Sequence, residues 1–188
     1  MEIPKGIIIS DVSITQNIPV YKSVSSSEKV RVRDRGIHYL TGKMTLTSES
    51  PRIIEGFLLG LRNSQKPFEL DLGNRLSAAT LRQRTIYTTT KVSAGSTQFT
   101  LENMSGSFVV GDYFRILNKT KLYMITTGGT NADLISFYPP LADEIPSQQV
   151  IEFDKLTIKA MLEDSSQTIT YKESGGIGEI TVNWREVT

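Results

Sequence analysis

Apolar residues recur at every second position along most of this chain, and at every third or fourth position in one place. That place is Ser50 to Asn63. Ile53, Ile54, Phe57, Leu58 and Leu61 form one stripe at a spacing near 3.6, which predicts an amphipathic helix packing through those five residues. Ser50 is placed to cap the free amides, and Pro51 sits at the first helical position, where its missing N–H costs nothing. Gly56 and Gly60 flank the stripe, each weakening the helix by roughly 1 kcal/mol relative to Ala. They read either as plain instability or as sites where a strand or a neighbouring subunit comes close. The helix is expected to cover an open face or edge of a sheet.

The alternating segments predict strands. Lys29-Val30-Arg31-Val32-Arg33 has a valine face and a basic face, and Asp34-Arg35-Gly36 breaks it. His38 to Thr47 is rich in Tyr and Thr, as a sheet prefers. Phe68, Leu70 and Leu72 alternate with Glu69 and Asp71. Asp11 to Tyr21 alternates loosely, and Pro19 argues against a central strand there. Ser23 to Ser27 reads as a loop, and Ala78 to Thr90 gives no decisive period. The last strand pattern is the most regular: Ile180, Val182 and Trp184 face one way, and Glu179, Thr181, Asn183 and Arg185 the other. Such a strand belongs inside a sheet, paired with one from the first half.

The texture changes near Lys91. Short apolar runs separated by Gly, Asn and Pro turns continue to about Asp143, predicting a small closed β-barrel or tight sandwich. Its core would be Phe99, Leu101, Phe114, Ile116, Tyr123, Ile125, Ile135 and Phe137. The expected fold is therefore mainly β. A split β-sandwich or barrel domain with one flanking α-helix, residues 1–90 and 144–188, is interrupted by an inserted barrel, residues 91–143.

Composition narrows the chemistry. Cysteine is absent, which removes disulfides and thiolate metal sites. No run approaches 18 apolar residues, so no membrane span is expected. The first ten residues lack signal-peptide character. Net charge is +1, but residues 1–86 sum to +5 and residues 87–188 to −4. That split could complement itself between subunits or mean nothing in a monomer. His38 is the single histidine, without a nucleophile context, a Gly-x-Ser-x-Gly or a phosphate-binding glycine loop. The pairs Glu69/Asp71 and Glu163/Asp164 lie on a strand face and in a turn, and neither pattern marks a cleft. No catalytic residue, cofactor or metal site is expected. The ladder Lys29, Arg31, Arg33 and Arg35 reads as a solvated or intersubunit face. A nucleic-acid groove would add aromatic platforms, and Tyr39 is the nearest.

Several segments in order resemble a known group. Tyr21-Lys22-Ser23-Val24-Ser25-Ser26-Ser27, then Gly42-Lys43-Met44-Thr45-Leu46-Thr47, the helix, and Pro67-Phe68-Glu69-Leu70 are similar to the front half of distal-tail, tail-hub and related minor tail proteins of tailed bacteriophages. Ala94-Gly95-Ser96, Gly111 to Ile116, Leu122 to Ile125 and Tyr138-Pro139-Pro140-Leu141 resemble their inserted segment. Ile180 to Val187 resembles their closing strand.

The resemblance implies a tail-tube type of split domain assembled as a ring, typically a hexamer, in the virion tail tip or baseplate after assembly in the host cytoplasm. Its partners would be copies of itself, the tail tube, the hub and other baseplate or tail-tip proteins, with DNA passing through the lumen. Lys29, Arg31, Arg33, Glu179, Asn183 and Arg185 are the candidate subunit-interface or lumen residues. Two other readings stay open. A host-surface carbohydrate-binding module would carry an exposed aromatic platform on the barrel, and a stacked tail tube protein would be present in many copies.

Overall fold

A computed structural model describes residues 1–18, 20–24, 30–34, 38–61, 66–73, 76, 85–103, 107–127, 129–130, 134–154, 156–164, 168–171 and 176–187. In chain order the first elements are β1 (Ile8–Asn17), β2 (Val20–Val24), β3 (Val30–Asp34), β4 (Tyr39–Ser48), α1 (Pro51–Gly60) and β5 (Phe68–Asp71). Then come β6 (Ile86–Thr88), β7 (Gln98–Glu102), β8 (Ser107–Phe108), β9 (Tyr113–Ile116), β10 (Leu122–Thr127), β11 (Gly129–Thr130) and β12 (Leu134–Tyr138). The last are β13 (Val150–Glu152), β14 (Thr157–Leu162), β15 (Thr170–Tyr171) and β16 (Gly178–Glu186). The fold is mainly β, with one helix among the described residues. The chain divides into two compact units, one of Met1–Glu69 with Lys159–Val187 and one of Leu70–Ile158.

The first unit is built on an open sheet in the order β1-β4-β16-β14-β5, with β15 beside β16. The regular last strand β16 lies inside it, against β4 from Gly178 opposite Ser48 to Arg185 opposite Thr41. Alternation explains the placement: Ile180, Val182 and Trp184 are buried on one face. α1 packs against β4 and β16. Ile54, Phe57, Leu58 and Leu61 are buried, while Ile53 is half-buried on the flank of the stripe.

Two expectations about this helix change. Ser50 makes no side-chain cap; its carbonyl instead accepts from Ile53 N at 3.0 Å, so that amide is already satisfied. A Cβ at Gly56 would meet nothing, and one at Gly60 would meet the flexible Met1 side chain at 3.0 Å. The close approaches are made by glycines on strands. A Cβ at Gly178 would sit 2.9 Å from Pro51 Cα. At Gly42 it would sit 1.9 Å from the Ser13 carbonyl oxygen and 2.8 Å from the Trp184 ring. Arg62 and Asn63 at the end of the expected helix, Lys29, the Arg35-Gly36 part of the expected break, and most of Ala78 to Thr90 lie outside the described residues.

The second unit holds a closed six-stranded barrel, β10-β12-β7-β6-β13-β9. All eight expected core residues are inside it, joined by Ile86, Val92, Phe108, Leu141, Ile145, Ile151 and Phe153. Phe114 is the hub. Its ring centroid lies 5.4 to 5.7 Å from those of Phe99, Tyr123, Phe137 and Phe153. The barrel is wider than the 91–143 segment. β6 pairs with β7 and β13, and β13 pairs with β9, so residues 86–88 and 150–152 close the wall. The physical reason is closure itself: without those two strands, β7 and β9 would be left as open edges. The segment's ends do meet, through reciprocal hydrogen bonds between Val92 and Ile145 of 2.9 and 3.0 Å.

Candidate functional site

The face of β16 opposite α1 is polar, and register extends it across three strands. Glu179 stands opposite Thr47, Thr181 opposite Thr45, Asn183 opposite Lys43, and Arg185 opposite Thr41. On the far side of β4, Ser10 stands opposite Thr45, Ser13 opposite Lys43, and Thr15 opposite Thr41. Period-2 alternation in each strand therefore lays hydroxyls in a continuous patch.

The patch is held by its own polar contacts. Thr45 Oγ1 and Thr181 Oγ1 are 3.1 Å apart, and Asn17 Nδ2 donates to Thr41 Oγ1 at 2.6 Å. Lys43 N donates to Ser13 Oγ at 3.0 Å, and Asn183 Nδ2 to Asp164 Oδ2 at 2.6 Å. Thr45 is buried, Glu179 and Asn183 are half-buried, and Lys43, Thr181 and Arg185 are exposed. Charge is graded along the strands: Lys43 and Arg185 lie toward Thr41, and Glu179 lies toward Thr47. At the Glu179 end, Thr168, Thr170, Glu179, Ile180 and Thr181 line a hollow of about 210 Å³.

The opposite face is sealed. Below Trp184, Glu186 also points inward and is buried, its Oε2 accepting from Leu40 N at 3.1 Å. The face pattern of Ile180, Val182 and Trp184 extends to this carboxylate, and alternation alone would have found it.

The expected site residues do not converge. Glu179, Asn183 and Arg185 share the polar face of the open sheet. Arg31 and Arg33 lie on β3, opposite Ser23 and Tyr21 of β2. Among the described residues that β2–β3 ribbon pairs with no other strand. Both edges of β16 are also occupied, by β4 on one side and by β14 and β15 on the other. β14 and β15 cover the two ends of that edge, and what β16 offers along its whole length is its face. The edge that sequence reasoning passed over is β1, the terminal strand of the sheet, ten residues long. A bulge at Asp11, with φ of 50° and a register shift between Ser10 and Ser13, interrupts it. The loose alternation around Pro19 carried that signal, because it marks an edge.

No group of three or more His, Cys, Asp or Glu side chains among the described residues is arranged to hold a metal ion. His38 is half-buried just before β4. No helix among the described residues is long and apolar enough to cross a membrane. No protein-family model matches the chain, and no curated protein matches it.

Proposed function

We propose that this chain is a structural, ring-forming component of the tail tip or baseplate of a tailed bacteriophage. It joins the tail tube to the hub or receptor-binding apparatus, and the polar face of its open sheet lines the DNA passage. The observation that carries the reading is that sheet. One face is sealed by α1, and the other is a broad hydroxyl patch with sparse charge of both signs. A wall past which DNA must slide needs such a surface, because a dense basic face would hold phosphates through counterion release. The terminal strand β1 and the β2–β3 ribbon supply contact elements for neighbouring copies. A two-stranded ribbon is marginal alone and gains most from a partner. On this reading the first unit is the split tail-tube type of domain that the ordered sequence resemblance implies.

The test is the mass of the purified chain in solution together with its copy number in virions. A hexamer, present as a single ring per particle, is expected. A monomer absent from virions would end the proposal, and a copy number in the many tens would move the chain to the tail tube proper. Reversing charge at Arg31 and Arg33 then separates two roles. Ring formation falls if they meet acidic residues of a neighbour, and the ring survives if they face the lumen.

A further inference from the structure

We infer that the β2–β3 ribbon is a contact element for duplex DNA, meeting the phosphates through one basic face. This rests on the reading of the open sheet as the wall of a DNA passage, and it names the part of that unit that touches the DNA. The register of the ribbon carries it. Val20 stands opposite Asp34, Tyr21 opposite Arg33, Lys22 opposite Val32, Ser23 opposite Arg31, and Val24 opposite Val30. Residues directly opposite each other share a face, and successive residues of a strand alternate between faces. Tyr21, Ser23, Arg31 and Arg33 therefore hold positions on one face. Val20, Val24, Val30 and Val32 hold positions on the other, with Lys22 and Asp34. Among the described residues of the ribbon the single carboxylate, Asp34, thus falls on the valine face, and the basic face has none. Along the chain Tyr39 is the nearest aromatic to Arg33, but pairing places Tyr21 directly across from it, and Tyr21 is 64% exposed.

Arginine, tyrosine and serine are among the residues that contact phosphate oxygens, and the major groove, about 12 Å wide, admits a two-stranded ribbon. Such a ribbon is marginal alone, and like charges two residues apart on one face weaken it further, so a polyanion that covers them stabilises it. A second copy of the chain is a poorer complement. The barrel carboxylates that would answer the arginines are held by their own chain. Glu144 Oε1 lies 2.8 Å from Lys91 Nζ, Asp143 Oδ2 lies 2.8 Å from Lys119 Nζ, and Glu152 pairs with Arg115. Asp112 Oδ2 accepts from Val109 N at 2.8 Å. The contact is to the DNA backbone and carries no sequence preference. Arg31 and Arg33 alone give a weak grip, which leaves DNA free to slide. The edges of the ribbon stay available to neighbouring copies, because only its face is used.

The test is the fluorescence anisotropy of a labelled duplex of mixed sequence, titrated with the full chain over a series of salt concentrations. The Arg31→Gln/Arg33→Gln chain should bind about tenfold more weakly at low salt, and its plot of log affinity against log salt should be flatter by about 2 for each chain bound. Tyr21→Ala should bind about threefold more weakly with the slope unchanged, because the lost contact carries no charge. Lys91→Gln/Lys119→Gln removes the same charge from the barrel and should leave both affinity and slope as they were. Equal losses from the ribbon and barrel variants, an unchanged slope in the Arg31→Gln/Arg33→Gln chain, or no binding by the parent would overturn the contact. So would a ribbon variant that loses oligomer mass and keeps its DNA affinity, since the face would then meet an acidic neighbour. If the double variant does not fold, Arg33→Gln alone serves, with the slope flattened by about 1. Mass and virion copy number read the ring separately. A hexamer in virions whose parent chain binds no DNA rejects the ribbon contact alone. Ribbon-dependent DNA affinity in a chain absent from virions rejects the tail-tip reading alone.

Discussion

In the barrel every strand of the wall has two neighbours, whereas the open sheet ends at β1 and β5. The barrel buries its aromatic residues inward: Phe99, Phe108, Phe114, Tyr123, Phe137 and Phe153 are all at most 4% exposed. The open sheet seals one face with a helix and leaves the other wet. At β5 the edge is short, and Met1 lies beside it, with Glu69 N donating to Met1 O at 2.9 Å. At β1 the edge is long and carries exposed Ile8, with Ile18, Val20 and Tyr21 exposed just beyond. Closure removes the hazard of unpaired strand edges from one unit, and the other retains the edge that an assembling subunit can use.

The comparison breaks most severely if the barrel is cut at the boundaries that texture suggests. Replacing residues 91–143 by a short Gly/Ser linker removes β7, β9, β10 and β12 and strands β6 and β13. Ile86, Ile151 and Phe153 would lose their core. We expect an aggregated product, read as loss of soluble monomer and oligomer alike. A soluble, ring-forming product would show that β6 and β13 belong to the sheet unit after all.

A gentler break is Phe114→Ala at the centre of the aromatic cluster. Removing this ring should cost about 3–5 kcal/mol. Trp184 is the chain's single tryptophan and is fully buried in the open-sheet unit, so its fluorescence reports that unit. Amide exchange in β9 and β10 should accelerate while the tryptophan transition keeps its midpoint. Equal shifts in both would mean that the two units unfold as one.

The matching perturbation of the sheet is Gly42→Ala. Its Cβ would press on a backbone carbonyl and on the Trp184 ring, neither of which is a free end that can swing away. The expected cost is about 1–3 kcal/mol, seen in the tryptophan transition and absent from barrel exchange rates. Gly56→Ala is the control. With open space around it, that change should stabilise α1 by up to about 1 kcal/mol.

These glycines show what sequence could and could not reveal. The stripe Ile53 to Leu61 sufficed to place α1, because 3.6-fold spacing is a local property. The core residues Phe99 to Phe137 were legible for the same reason, as alternation is read within one strand. Closure was not legible. Whether Ile86 and Ile151 join a barrel depends on which strands pair, and pairing is long-range. Gly56 and Gly60 drew suspicion because glycine is costly in a helix, yet the required glycines are Gly42 and Gly178, in strands whose neighbours lie far along the chain. At the candidate site, the outward set Glu179, Asn183 and Arg185 was readable from period 2 alone. Its hydroxyl neighbours on β1 and β4 were not, because register decides them. Thr41, Thr45 and Thr47 already alternate outward in sequence, and that was the available signal.

The smallest expected effect is also the one that bears most directly on the wet face. Thr45 and Thr181 face each other across β4 and β16, hydroxyl to hydroxyl at 3.1 Å, with Thr45 buried. Changing Thr181 to Val leaves the buried Thr45 hydroxyl without that partner, at a cost of about 1 kcal/mol, whereas changing Thr45 to Val leaves an exposed hydroxyl that water satisfies. Changing both removes donor and acceptor together and keeps two β-branched residues of the same shape. The double variant should therefore fold within about 0.5 kcal/mol of the parent, a coupling that a double-mutant cycle on the tryptophan transition would measure. If the face lines a passage, this stable variant should still assemble, and any defect should appear in DNA delivery by reconstituted particles rather than in folding. A double variant as unstable as the sum of the single ones would show that the hydroxyls serve the fold through other partners, and the polar patch would lose its claim to be a surface kept wet for function.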